Sequence, residues 1–581
     1  MKVGFINAVF TNKLDSFPIG LVSLCTVLQA KGISAKIVDF TKVDANDILS
    51  GKGYNHNYIS RCAEIICAER FNVVSFYTMA NSYHISIKIA EKVKTIDPNC
   101  IVIFAGPQAS VCGEDTLRYF SFVDMIALGE GESTIFDTVV YASKRLFEKC
   151  PSAVIRHGDS IVRTHILPFI ENLDDLPFLD YSFVPYVSNF KAFPIEVGRG
   201  CPFHCKFCST KGFWKKQYRL KSSSRIIEEI KEIQRLFGIE KFQFEHDSLT
   251  ANRKTIVTFC NDLINRNMGI TWGCSSRVDV LDGELIDLLS RAGCRAMFLG
   301  IETGSASMQK EINKNLRLER VIPIVKLLHH SNIETTCSFI YGFPNETVSD
   351  LAQTLKLISD LIAARVKNIQ IHKLTILRGT EFYETYKNNL VNSNLTSNFN
   401  AGGDGRYYEK FIKECPELFP HFFGIDGLGC TEAHIECFVN NILRLLVSHY
   451  PNTYRLIMLQ QEGDIFSLYK DMEKCCKELE EESYALLNGA LSNQFMARRI
   501  TEILKTGYFD QHWSGSFINE MFVFESDYLK WLTHPNSIFT KKYHYDLYEY
   551  IINGRNAAPP LCETTINIEM RNKRVYMQRL P

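Results

Sequence analysis

Apolar runs recur along the first 150 residues, each followed by an amphipathic stretch or a turn, and this alternation predicts a strand–helix repeat. The runs are Lys2–Asn7, Ala35–Phe40, Asn72–Tyr77, Cys100–Ala105 and Val123–Leu128. Alternation of this kind specifies an α/β fold with a parallel, doubly wound sheet, whose ligand crevice opens at the carboxyl ends of the strands. The loops at those ends are Phe17–Leu21, Ser75–Tyr83, Gly106–Ser110 and Gly129–Glu132.

Residues 151–190 read as a linker with packing residues, turning at His157-Gly158-Asp159 and rich in acids and prolines near Ile170–Pro177. A second strand–helix pattern starts with a strand-like stretch at Phe193–Val197 and a long helical one at Arg225–Phe237, and it runs through residues 191–385. Residues 386–581 carry mainly helical patterns, such as Glu432–His449 and Ser467–Leu487. Tyr407, Tyr408, Phe419, Phe422, Phe423, Trp513 and Trp531 are expected in the core of this last region, the alternative being that the tail shapes a substrate pocket. Arg571, Lys573, Arg574 and Arg579 form a basic end, read as loose and solvated or touching an acidic partner.

Charge and composition exclude some partners. Lysine plus arginine and aspartate plus glutamate each number 65, so no global field favours nucleic acid or an anionic membrane. No apolar run reaches the roughly 18 residues of a membrane span, and the N-terminus reads as a strand, not a signal peptide. Nineteen cysteines without disulfide-like spacing point to a reducing compartment, expected to be the cytoplasm.

Three of those cysteines stand in the run GRGCPFHCKFCST with C-x3-C-x2-C spacing: Cys201, Cys205 and Cys208. Three thiolates on one tight loop can ligate three irons of a four-iron, four-sulfur (4Fe-4S) cluster, leaving the fourth iron open to a substrate or cofactor. The competing reading is a structural zinc site or reduced core cysteines, but no paired C-x2-C follows.

This motif and its context resemble those of the radical S-adenosylmethionine (SAM) enzymes. The strand ends that follow are similar to those of the superfamily's partial (β/α)6 barrel, where reacting groups gather around one mouth. The resemblance implies that Phe207, Glu245, Ser275, Arg277, Glu302, Ile340, Gly342 and Leu374 bind SAM. Glu245 would meet the amino group, Arg277 the carboxylate region and Glu302 the ribose, with Ile340, Gly342 and Leu374 bordering adenine. The chemistry agrees, since an arginine fork holds a carboxylate and a carboxylate accepts ribose hydroxyls.

The loops of the first sheet, in their order, resemble the cobalamin-binding domain that precedes the barrel in one subclass of that superfamily. The implied contacts are Pro18, Gly20, Ser75, Thr78, Gly106, Gln108, Ser110, Gly129, Glu130, Gly131 and Glu132. The family usually shows two glycines and a histidine where this chain has Gly106-Pro107-Gln108, and the loop NAVFTNKLDSF offers no histidine as a lower cobalt ligand. Asp510-Gln511-His512-Trp513-Ser514-Gly515 matches the letters of the usual ligand motif but lies far from the sheet pattern. A nucleotide- or flavin-type sheet is the alternative.

The resemblance implies C-methylation of an unactivated carbon in a natural-product, peptide or lipid-precursor substrate, through a deoxyadenosyl radical and methylcobalamin. Its cofactors would be the 4Fe-4S cluster, SAM and cobalamin, and its electron donor flavodoxin- or ferredoxin-like. Cyclisation or rearrangement without methyl transfer, a non-catalytic cobalamin or cluster sensor, and a nucleic-acid methylthiotransferase compete with it. The last would want a basic module that this chain does not show.

Overall fold

The structure, a computed structural model, describes residues 1–8, 17–40, 56–184, 190, 192–392, 408–425, 438–460, 502, 504–505, 516–532, 539–545, 547, 561–571 and 574–580. It divides into two compact units: Met1–Phe298 with Glu311–Asn315 and Thr375–Asp426, and Leu299–Lys310 with Leu316–Leu374 and Gly427–Pro581.

The first unit begins with β1 (Lys2–Asn7), β2 (Ser34–Asp39), β3 (Val73–Tyr77), β4 (Ile101–Ala105) and β5 (Met125–Ala127), in the spatial order β2-β1-β3-β4-β5. All four pairings are parallel, with Phe5 opposite Ile37 on one side and Ser75 on the other. Parallel strands need crossovers, supplied by α1 (Ile19–Ala30), α2 (His56–Ala68), α3 (Tyr83–Ile96) and α4 (Pro107–Tyr119), with α5 (Ile135–Ser143) following β5. Helices on both faces explain why the strands are nearly continuous apolar runs. The expected doubly wound sheet is present.

It extends further than the sequence pattern announced. The turn at His157–Asp159 closes a hairpin of β6 (Ala153–His157) and β7 (Ser160–Arg163), which adds antiparallel to β5 and makes the sheet seven-stranded. Tyr408, Phe419 and Phe422 are buried, as expected, but they join the core beneath α3 and α4 of this sheet with Tyr83, Phe104 and Cys112.

Further parallel strands follow in each unit. In the first unit, β8 (Phe193–Glu196), β11 (Lys241–Glu245) and β12 (Thr271–Ser276) pair in parallel, Phe242 standing opposite both Phe193 and Trp272. Between β8 and β11 come β9 (Gly198–Gly200), α6 (Thr210–Trp214), β10 (Tyr218–Leu220) and α7 (Ser223–Phe237). The last of these shows its causes plainly. Ser222 caps it by accepting from the Arg225 N–H, Gly238 ends it in a left-handed turn, and Ile226, Ile230 and Ile233 bury one face.

β13 (Cys294–Glu302) runs from the first unit into the second, where β14 (Glu334–Tyr341) and β15 (Asn368–Lys373) pair in parallel. The helices α8 (Val348–Ala363), α9 (Pro451–Gln460) and α10 (Phe517–Leu532) continue this unit, with Tyr454 Oη donating to the Leu355 carbonyl at 2.9 Å. The helical C-terminal region also contains an antiparallel pair, β16 (Leu390–Asn392) and β17 (Phe423–Ile425), and an antiparallel sheet of β18 (Phe539–Tyr545), β19 (Leu561–Arg571) and β20 (Arg574–Leu580). Of the basic end, Arg571, Arg574 and Arg579 therefore lie on paired strands rather than in a loose tail, and Lys573 lies outside the described residues. The expected helix Ser467–Leu487, the aromatics Tyr407 and Trp513, the loop of residues 9–16 and the Asp510–Gly515 motif lie outside the described residues. Among the described residues, no helix is long and apolar enough to cross a membrane.

Candidate functional site

The cysteine loop is fixed by the ribbon that precedes it. β9 pairs antiparallel with β10, Arg199 opposite Arg219 and Gly200 opposite Tyr218. Gly200 has φ +86°, and a Cβ there would lie 2.0 Å from the Gln217 carbonyl oxygen, so only glycine allows the chain to turn into Cys201. Cys201, Cys205 and Cys208 form no disulfide and are half-buried. Burial pushes the Cys201 thiol up to about 11, with Cys208, Asp247 and Cys205 adding to it. Backbone bonds hold the loop from outside: Lys206 N–H donates to Ile312, Asn313 Nδ2 to the His204 carbonyl, and Phe382 N–H to Lys206. Among the described residues, no three His, Cys, Asp or Glu side chains converge on one metal ion.

Arg277, beyond the end of β12, reaches this loop. Its guanidinium lies 3.9 Å from the centre of the Phe203 ring, and Nη1 is 3.9 Å from Cys205 Sγ. Nε and Nη2 donate to Asp279 at 2.9 and 2.8 Å, and Nη2 also donates to the Lys314 carbonyl. The fork edge that the sequence assigned to a SAM carboxylate thus faces Asp279, and Nη1 is the edge left toward the cysteines. Glu245 ends β11 with an accessible carboxyl, yet the protein packed around it and the Asp247 charge push it above the ordinary carboxylate range. Ser275 is half-buried on β12, and Phe207 half-buried in the cysteine loop.

In the second unit, β13 ends on Glu302, which is buried and held at φ +70°, an unusual backbone for a side-chain-bearing residue. The turn behind it is pinned, Gly304 N–H donating to Thr354 Oγ1 and Gln309 Nε2 to the carbonyls of Ile301 and Thr303. Leu374 N–H donates to the Tyr341 carbonyl at 2.8 Å, which sets Leu374 beside Gly342 and Ile340 at the end of β14.

A cavity of about 610 Å3 opens at the carboxyl ends of the first sheet. Of the residues assigned to cobalamin, Pro18, Gly20, Ser75, Gly106, Gln108, Gly129, Glu130, Gly131 and Glu132 line it. Thr78 and Ser110 do not; they brace the loops, Thr78 Oγ1 donating to the Ala105 carbonyl and accepting from Ala109 N–H, Ser110 Oγ accepting from Gly129 N–H. Gly106 has φ +96°, and a Cβ would meet the Thr78 carbonyl oxygen at 2.9 Å. Gln108 turns partly away, donating to the Leu418 carbonyl. The carboxylates of Glu130 and Glu132 are bound to Arg199 at 2.8 and 2.7 Å. Their part in the cavity wall is therefore that of ion-pair partners, and the backbone of Gly129 and Gly131 is the surface that this loop offers a ligand.

The same cavity is lined by Arg199, Ser209, Phe213 and Trp214, which flank the cysteine loop on both sides. The profile of the B12 binding domain matches residues 8–137 and that of the Radical SAM superfamily residues 195–358. The chain belongs to the cobalamin-binding radical SAM enzymes. It is 27% identical over 389 residues to an uncharacterized methyltransferase of Pyrococcus horikoshii, covering 66% of this chain and 80% of that one. It is 29% identical over 279 residues to the anaerobic magnesium-protoporphyrin IX monomethyl ester cyclase of Rubrivivax gelatinosus, covering 46% of this chain and 50% of the cyclase. The solved structure of the cobalamin-dependent S-adenosylmethionine radical enzyme OxsB with aqua-cobalamin bound shares the fold, with TM-score 0.60, 13% identity and coverage of 91% and 80%.

The cofactors of this cobalamin-binding radical SAM enzyme are a 4Fe-4S cluster, SAM and cobalamin, and its residues suit them. Three half-buried cysteines outside any disulfide, on one braced loop, suit the cluster. Deep in the cavity, Asn7 Oδ1 and Thr138 Oγ1 are buried without a hydrogen-bond partner among the described residues. Buried polar atoms are rarely left so, and a polar ligand tail would satisfy them. Neither residue was legible as a site from sequence, because each sits within an ordinary strand or helix pattern. Arg199 had a weak signal, a charge set between two glycines directly before Cys201.

Proposed function

We propose that this chain is a cobalamin-dependent radical SAM methyltransferase acting on an unactivated carbon of a small-molecule or peptide substrate in the cytoplasm, with a flavodoxin- or ferredoxin-like electron donor. The carrying observation is the single cavity lined both by the sheet loops of the B12 binding domain and by Arg199, Ser209, Phe213 and Trp214 beside the cysteine loop. Cys201, Cys205 and Cys208 would hold the cluster, Glu245, Arg277 and Glu302 would orient SAM, and the backbone at Gly106, Gly129 and Gly131 would seat the corrin.

When bound, these groups supply hydrogen abstraction from carbon and a transferable methyl group. The chain's own part is positioning: the Phe213 and Trp214 rings wall off water, and loops held by backbone hydrogen bonds keep reacting groups in register. Support for methyl transfer comes from the Pyrococcus relative's name, and the cyclase match favours a second reading, ring formation without methyl transfer.

The test is anaerobic reconstitution with iron, sulfide and hydroxocobalamin, followed by mass spectrometry with candidate substrates encoded nearby. A product with one added carbon supports methyl transfer. A product without it supports the cyclase reading, and no deoxyadenosine under reducing conditions refutes both.

A further inference from the structure

Arg199 makes five hydrogen bonds, one for every N–H a guanidinium owns. Nε donates to Glu196 at 2.9 Å, Nη1 to Glu130 at 2.8 Å and Glu132 at 3.3 Å, and Nη2 to Glu132 at 2.7 Å and Glu196 at 3.0 Å. Its side chain is 5% exposed, those of Glu130 and Glu132 2% and 6%. Ser23 Oγ on α1 donates to Glu132, and Ile170 N–H in the connector donates to Glu130. Arg219, opposite Arg199 on β10, donates to Glu130 at 2.9 Å, with its guanidinium over Phe169 and Trp214. One residue therefore joins the Gly129–Glu132 loop of the first sheet to the ribbon that ends directly before Cys201.

We propose that Arg199 is a positioning residue that fixes the Gly129–Glu132 loop against the cysteine loop, and so sets the separation between cobalamin and the cluster. Stability alone is a weak reason for such a group, because a buried ion network can often be replaced by apolar packing at no loss. Geometry is the stronger reason. A planar fork with five fixed donors holds three carboxylates in one arrangement, which a lysine point charge does not reproduce. The carboxylates come from two places, Glu130 and Glu132 on the sheet loop and Glu196 at the end of β8, so the guanidinium fixes the direction as well as the distance between them. Gly198 and Gly200 on either side admit the β10 backbone closely, so the ribbon cannot shift to compensate a shorter side chain: a Cβ at Gly198 would lie 2.4 Å from the Arg219 carbonyl oxygen.

The inference rests on the family's two metal cofactors and not on methyl transfer, and its test keeps them apart. Arg199→Lys, Glu132→Gln and wild type are loaded anaerobically with cluster and cobalamin in the absence of substrate, and iron and cobalamin content per chain are measured. Electron paramagnetic resonance then records how strongly the reduced cluster speeds relaxation of the cob(II)alamin signal, which depends steeply on their separation. Wild type should show one relaxation rate, and both variants a changed or spread one at equal loading. Glu229→Gln, which breaks the buried Lys221–Glu229–Arg225 network on α7, serves as the control and should leave the rate unchanged while lowering stability. If Arg199→Lys fails to load, Glu132→Gln decides alone, since it keeps Arg199 and its bonds to Glu130 and Glu196. An unchanged single rate in every loaded Arg199 or Glu132 variant overturns the proposal. In turnover, product per deoxyadenosine should fall about tenfold in Arg199→Lys while deoxyadenosine still forms.

Discussion

Arg277 Nη1 stands 3.9 Å from Sγ of Cys205, the middle cysteine of the loop. The guanidinium is held from behind by Asp279 and the Lys314 carbonyl and from one face by the Phe203 ring, so it cannot follow a mobile ligand freely. A donor aimed at a metal-ligating thiolate tunes and retains the metal. Arg277→Lys, which keeps the charge but loses the fork, should release iron to a chelator roughly 10–100-fold faster than wild type. Unchanged iron release, with weaker SAM binding, would instead assign Arg277 wholly to SAM.

Gly200 and Gly106 should respond differently to alanine although both have positive φ. At Gly200 the new Cβ would lie 2.0 Å from backbone oxygen of the paired strand, so β9 and β10 must part and Cys201 must move. Gly200→Ala is expected to bind cobalamin but to hold little iron after reconstitution. At Gly106 the closest atom is the Thr78 carbonyl oxygen at 2.9 Å, at the cavity's rim. Gly106→Ala should weaken cobalamin binding, keep the cluster, and cost more than about 1 kcal/mol in urea unfolding. Absorbance titration with hydroxocobalamin and iron analysis separate the two.

The pH dependence of stability has an identifiable source in the first unit. His84 on α3 and His421 are fully buried among Tyr408, Phe419 and Phe422, and burial pushes each down to about 3. A base depressed below its unfolded value near 6.5 is neutral in the folded chain, while the unfolded chain takes up the proton first. Stability is therefore complete above about 6.5 and falls as pH drops toward 3, each histidine contributing about 1.4 kcal/mol per pH unit in that window. Urea midpoints at pH 7 and pH 5 should differ in wild type, and His84→Leu should roughly halve the histidine-dependent difference. An equal slope in the variant would place the acid sensitivity elsewhere.

The first sheet was legible because its strands are short apolar runs separated by turn residues, and burial on both faces makes such runs unmistakable. β19 was missed although its sequence, LCETTINIEMR, alternates polar and apolar positions at the strand period. The arginines beside it suggested a solvated end, and a hairpin that exposes one face carries such residues without conflict. Tyr408, Phe419 and Phe422 were legible as core, but which core they join depends on how distant segments dock, which no local pattern records. Site residues divided along the same line. The cysteines stand out by spacing, whereas Arg199 matters through carboxylates 67 and 69 positions away.

The proposed role of Glu302 in SAM binding can be tested apart from cluster and cobalamin loading. It ends β13 in a left-handed conformation at φ +70°, which costs a side-chain-bearing residue roughly 1–2 kcal/mol. The pinned turn from Thr303 to Ser305 maintains it, Thr303 Oγ1 meeting Thr354 Oγ1 at 3.1 Å and accepting from Ser305 N–H. Strain of this kind persists where the surroundings over-determine it and clusters at functional sites. Glu302→Gln keeps volume and backbone and removes only the charge, so SAM should bind about tenfold more weakly, the loss of one charge-assisted hydrogen bond. Iron and cobalamin content should stay at wild-type levels, since Glu302 is not among the residues lining the first sheet's cavity and the substitution adds no bulk. Equilibrium dialysis with labelled SAM measures the first quantity and elemental analysis the second. Full SAM affinity in the glutamine variant would remove Glu302 from the site and leave its strained backbone to be explained by the Thr303–Ser305 turn alone.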